Sequence, residues 1–380
     1  MKFYFDKVDN LAGFSTKNVK DGEVAEILIR AKLTSDEPVF YKYMDQISNL
    51  FLSRAGVLED SVCQFLIVIH DDLSADLYVN DFKVLVEIKA KRDVKVGEAI
   101  TDADVADIRK IKFGDISIVS NDSVIYCFKV GWRFGLFFDF TAVDFHTGDH
   151  QQLDMEKMEL SIGGLYRYLS FYHVYKTLEA GAQFADMRKD GWFPFIEIIA
   201  IAYKQLTEVY QNRFDFENRI KIIVDSFDSS RIKKITEKWW QNKIFSEKKA
   251  LIGAGVNAYM QNNPDGFVTC IKTLWSEIEG VLRILYFVDT GKGVGIKSYE
   301  LSKHIVEKAK NKTGSDHSLL FPLPFLTYLK DVVFATFNVE AGNIGMSRNS
   351  AGHGVAEPQQ YTKQRALQLI LILDQLFFYS

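Results

Sequence analysis

The sequence predicts an α+β fold, a β-rich N-terminal domain followed by a helical C-terminal half that ends in a helical bundle. Three features carry that prediction. Residues 1–157 are built of short Val-, Ile-, Phe- and Tyr-rich runs separated by Asp, Asn and Gly, the signature of strands and turns. The stretch Phe145–Met155, FHTGDHQQLDM, is polar and turn-prone. Beyond it, apolar residues recur at three- and four-residue spacing, the period of a helix with one buried face.

Taken in order, a helix is expected over Glu37–Ala55. Strands follow at Gln64–Ile69, Phe82–Lys89, Ile116–Val119, Val124–Val130 and Phe134–Phe140. Gly114-Asp115 and Asn121-Asp122 read as turns. Thr101 and Asp104 have capping-box spacing, so a short helix is expected from Thr101. Helices are then predicted over Met158–Phe184 and Phe195–Asn212, with Pro194 suited to a first turn, and over Arg231–Phe245. Residues 158–247 form a helical connector. Residues 248–380 hold helices at Lys248–Gln261, Asp265–Val288, Tyr299–Lys312 and Pro324–Thr336. A polar loop Asn338–Pro358 precedes a last helix, Tyr361–Tyr379. That last helix is apolar nearly all round, which predicts burial in a bundle or a subunit interface.

Composition narrows the function. The chain has 380 residues and is 14% aromatic, which excludes global disorder. A net charge of −4 means that any nucleic-acid binding comes from a local patch. Cys63, Cys127 and Cys270 are far apart and odd in number, so they suggest neither a zinc finger nor a disulfide framework. No apolar run reaches the roughly 18–20 residues of a membrane span. The expectation is a cytoplasmic protein without a membrane segment or a cofactor.

The most informative stretch is Ser347–Gly354, SRNSAGHG. Arg348, Asn349 and His353 make an R-N-x3-H arrangement suited to RNA strand cleavage. A histidine can take the proton of a ribose 2′-OH or give one to the leaving oxygen. An arginine can hold the phosphate and stabilise charge on it. On helical geometry Asn349 and His353 share a face, so Asn349 is expected to orient the imidazole. Arg348 and His353 stand about 140° apart on a helical wheel, so the loop must bend, or two copies must meet, to serve one atom. A second match, Arg167 to His173, lies among aromatics on a predicted helix and reads as structural.

The R-N-x3-H-G motif ahead of the apolar helix Ala366–Tyr379, together with the helix Cys270–Arg283, resembles the HEPN superfamily over residues 248–380. The resemblance implies a metal-independent endoribonuclease, active as a homodimer through 2′-OH transesterification. It also implies a toxin or anti-phage (abortive-infection) role and an antitoxin or trigger protein as partner. Arg348 and His353 would be catalytic, Asn349 their polar partner, Gly354 part of the motif, and Glu277 or Glu279 a support for the Arg348 guanidinium. Some members of the superfamily are not nucleases. The alternative is therefore a non-catalytic regulatory or dimerisation protein whose β-rich domain binds a ligand or partner.

Other candidates are weaker. Lys233, Lys234, Lys238 and Lys243, with Trp239 and Trp240 among them, could grip RNA by phosphate contact and stacking, or form a solvated helix face. Asp144, His146, Asp149 and His150 have metal-ligand residue types but read as a polar linker. The glycines at Gly253–Gly255 follow charged helical sequence instead of a strand, and those at Gly291–Gly295 lack the adjacent Gly-Lys-Ser/Thr that a phosphate loop requires.

Overall fold

A computed structural model describes the chain except residues 59–60, 143–151, 316, 339 and 341–344. It is α+β, with about 50% helix and 15% strand. The contacts divide it into two compact units. The first comprises Met1–Lys89 and Ile108–Tyr172, the second Ala90–Asp107 and His173–Ser380. These bounds differ from the sequence division at 157 and 247. The connector divides: residues 158–172 belong to the first unit, and residues 173–247 belong with the C-terminal helices to the second.

In the first unit, strands β1 (Lys2–Phe5), β2 (Phe14–Ser15), β3 (Ile27–Leu28) and β4 (Arg30–Thr34) precede helix α1 (Pro38–Ile47). A π-helical turn, Ser48–Leu52, extends α1. Strands β5 (Gln64–Ile69), β6 (Ala75–Val79), β7 (Val84–Ala90), β8 (Val105–Phe113), β9 (Ser123–Val130) and β10 (Arg133–Asp139) follow, then helix α2 (Met155–Ser170). Six of these strands form an antiparallel sheet in the order β1-β6-β5-β9-β10-β4. The run QFLIVI of β5 has no polar alternation because both faces are covered. Phe65, Ile67 and Ile69 join Phe40, Tyr43 and Ile47 of α1 in one core. Leu66 and Val68 join Ile162, Leu165 and Leu169 of α2 in another. Strands β7 and β8 form a separate pair.

Several expected elements differ. Ile116–Val119 is not a strand: the Val119 amide donates to Asp122 Oδ2 at 2.7 Å, which turns the chain instead of extending a ladder. The capping box at Thr101 is present, but it opens only a 3-10 turn, Asp102–Asp104, before β8.

In the second unit, helices α3 (Tyr172–Glu179) and α4 (Gly181–Lys189) replace the expected single helix to Phe184. Phe171 is 2% exposed and leaves helical geometry, so the break between α2 and α3 comes from an aromatic turned inward rather than from Gly or Pro. Next come α5 (Ile201–Gln211), α6 (Phe216–Asp225), α7 (Ser229–Glu237), α8 (Lys243–Glu247), α9 (Lys249–Met260), α10 (Pro264–Thr290), α11 (Ser298–Thr313), α12 (Pro322–Tyr328), α13 (Arg348–Gly352) and α14 (Lys363–Tyr379). The long helix α10 contacts α9, α11, α13 and α14. Helix α14 is buried within this unit from Ala366 to Leu376, so its apolar surface is already covered by its own chain. Its buried polar residues hold the packing in register. Gln375 accepts from the Ile196 amide at 3.0 Å and donates to Leu320 O at 3.1 Å. Among the described residues no helix is long and apolar enough to cross a membrane.

Candidate functional site

The motif Ser347–Gly354 is not an open loop. The Ser347 hydroxyl accepts from the Ser350 amide, and the Ser350 hydroxyl accepts from the Ser347 amide. This reciprocal cap satisfies free N–H groups at the start of α13. The turn continues to His353, whose amide donates to Asn349 O at 3.0 Å. Gly354 then adopts φ +73°, a left-handed conformation that glycine takes at low cost. The glycine thus ends the turn directly after the imidazole.

Helix α10 supplies the other wall. Lys272, Trp275 and Ser276 of α10 line a cleft of about 460 Å³ with Arg348, Ala351, Gly352 and His353. Arg348 and His353 therefore face one space, despite their angular separation on an ideal wheel. The Arg348 Nε lies 2.5 Å from Glu279 Oε2. Glu279 also holds Arg283 at 2.7 Å, so one carboxylate anchors two guanidinium groups. Among the described residues the Arg348 Nη groups have no further partner. An arginine held by its Nε edge and open at its Nη fork is arranged for an oxyanion. Lys272 Nζ donates to Ala351 O at 3.0 Å and lies 5.3 Å from the Tyr361 ring, which adds a second cation at the cleft. The exposed His353 ring stands 5.5 Å from that of Phe337, inclined by 51°.

Two expected roles change. Asn349 does not orient His353: its Nδ2 donates to Phe334 O at 3.1 Å and Ala335 O at 3.2 Å. It ties α13 to the end of the preceding π-helical turn, Leu329–Val333. Glu277 does not support Arg348: it is buried and lies 2.5 Å from Lys248 Nζ. Of the two acidic candidates, Glu279 takes that place. Lys272 was missed by sequence reading, although it lies seven residues before Glu279, two helical turns along the same face.

The basic stretch divides. Lys233, Lys234 and Lys243 are exposed. Lys238 is not free for a phosphate, because its Nζ lies 2.8 Å from Asp374, which is 1% exposed. Trp239 is fully buried and donates its indole N–H to the same carboxylate oxygen at 2.8 Å. The Asp144, His146, Asp149 and His150 cluster lies outside the described residues. Among the described residues no group of His, Cys, Asp and Glu side chains is placed to hold a metal ion. No protein-family model matches the chain, and neither does any curated protein or any solved structure compared with it.

Proposed function

We propose that the protein is a metal-independent endoribonuclease of HEPN type, cleaving RNA at a composite homodimer site. The observation that supports this most is the shared cleft of Arg348, His353 and Lys272, with Arg348 fixed by Glu279 and its Nη fork open. In the reaction the ribose 2′-OH attacks the adjacent phosphorus and expels the 5′-oxygen, leaving a 2′,3′-cyclic phosphate. Arg348 and Lys272 offset the charge that grows on the phosphate oxygens. His353 takes or delivers a proton. The step needs both a proton acceptor and a donor, and one cleft offers one imidazole. A second copy related by a two-fold axis supplies the other. A role in toxicity or anti-phage defence, with an antitoxin or trigger protein as partner, belongs to the same proposal.

The test is an RNA-cleavage assay on tRNA and total RNA in EDTA. It compares wild type with His353→Ala and Arg348→Ala, with the new ends mapped and the oligomer measured by sedimentation. Fragments ending in 2′,3′-cyclic phosphate in wild type alone are expected. RNA left intact by wild type, or cleaved equally by His353→Ala, overturns the reading.

A further inference from the structure

A second polar site lies in the same unit, apart from Arg348 and His353. Arg365 stands in the first turn of α14. Its backbone amide is held by the Thr362 side chain at 3.1 Å. Its guanidinium, however, has no hydrogen bond and no ion pair among the described residues. The residue is partly buried, and that burial pushes its pKa below the ordinary arginine value. A β-carbon on Gly191 would stand 2.2 Å from its Nη1. The same point is 2.4 Å from Gln368 Oε1, which is buried and also unpaired. A neutral amide oxygen does not offset the guanidinium charge, and Asp190 acts on it only through space, without an ion pair. A partly buried cation without an ion pair carries part of the cost of a buried charge.

The guanidinium opens on a pocket of about 380 Å³, lined also by Lys189, Thr362, Gln364 and the backbone of Gly345. Two carboxylates reach the pocket, and neither forms an ion pair with Arg365, although the charge of Asp190 acts on it at longer range. Asp190 accepts the Tyr210 hydroxyl at 2.5 Å, and Glu217 is exposed. The first turn of α14 adds the positive end of a 17-residue helix. We propose that this pocket binds the oxyanion of a small phosphate- or carboxylate-bearing molecule, with Arg365 as its principal ligand and Lys189 and Thr362 at its margin. The bound anion supplies the direct ion-pair partner that the described residues do not.

The experiment is thermal unfolding of the full chain in inorganic phosphate, in acetate and in chloride, at equal ionic strength, for wild type, Arg365→Met and Arg365→Lys. For wild type, the midpoint rises by about 5 °C in the preferred oxyanion at roughly a hundredfold excess over Kd, relative to chloride. The phosphate and acetate arms show which oxyanion is taken. Arg365→Met melts higher than wild type in chloride, because a partly buried cation without an ion pair is gone, and loses the oxyanion response. Arg365→Lys keeps part of the response. A lower chloride midpoint for Arg365→Met marks an arginine that supports the fold as it stands and overturns the proposal. So does a wild type indifferent to both oxyanions, or an oxyanion response equal in wild type and Arg365→Met.

Discussion

Replacing Lys238 by Met separates two roles for one basic residue. In the structure its ammonium lies 2.8 Å from Asp374, whose carboxylate is 1% exposed and also accepts the buried Trp239 N–H. Lys238→Met strands that carboxylate with one neutral donor, and Asp374 Oδ2 already lacks a partner. Removing one member of a fully buried pair costs about 3–5 kcal/mol. The Lys238 side chain is 19% exposed, so water offsets part of this and about 2–4 kcal/mol is expected. For a unit of this size the melting midpoint falls by roughly 5–15 °C. Lys233→Met, on the exposed face of α7, changes stability by less than about 0.5 kcal/mol. The assay is urea unfolding of both variants beside RNA binding at several salt concentrations. Lys233→Met lowers the salt slope of RNA binding by about one if Lys233 contacts phosphate; Lys238→Met leaves the slope unchanged. The double variant Lys238→Met/Asp374→Leu regains part of the lost stability, because the stranded carboxylate is gone, while the buried Trp239 N–H, left without its acceptor, keeps the recovery incomplete. A Lys238→Met protein as stable as wild type but with weakened RNA binding would refute the assignment of Lys238 to the fold.

Two further outcomes follow from the same physics. Asn349→Ala removes two donated bonds and destabilises α13 by about 1–2 kcal/mol, whereas Asn349→Asp costs more because an oxygen then faces the Phe334 and Ala335 carbonyls; hydrogen exchange of residues 348–353 reads both, and equal protection in all three proteins would refute the bracing role. Burial pushes the Lys91 amine down to about 8, so its penalty is complete below that pH and fades as pH rises from about 8 toward the 10.5 of the unfolded chain. Wild type therefore gains stability relative to Lys91→Met over that window, by up to about 3 kcal/mol, and a constant difference between the two unfolding curves would contradict it. The difference is the quantity to follow, because Cys127 and Cys270, pushed up to about 12 by burial, lose stability over an overlapping range.

The sequence was most legible where one periodic signal spanned a whole element. Gln64–Ile69 is a strand with the expected bounds, and α14 is buried as its uniform apolarity requires. Legibility failed where a tertiary partner decided the outcome. Phe171 breaks a helix by turning inward, and Asp122 captures the Val119 amide in place of a strand. At the candidate site, Arg348, His353 and the acidic helix were visible as residue types. The choice of Glu279 over Glu277 was not, because both lie on α10 within two residues and only packing sends Glu277 to Lys248. Asn349 misled because i,i+4 spacing allows a contact with His353 without requiring it. Lys272 and Arg365 carry no local motif; their significance lies in what surrounds them.

The excursion Ala90–Asp107 has a consequence in time. It belongs to the C-terminal unit, and within that unit the buried Asp107 carboxylate accepts the Leu319 amide at 3.1 Å, across 212 residues of chain. At about 5–20 residues per second, a ribosome needs roughly 10–40 s to travel from one to the other. Through that interval the Leu319 amide has yet to be made, and the C-terminal unit cannot close until most of the protein has been synthesised. A chain begun at His173 would lack the acceptor altogether.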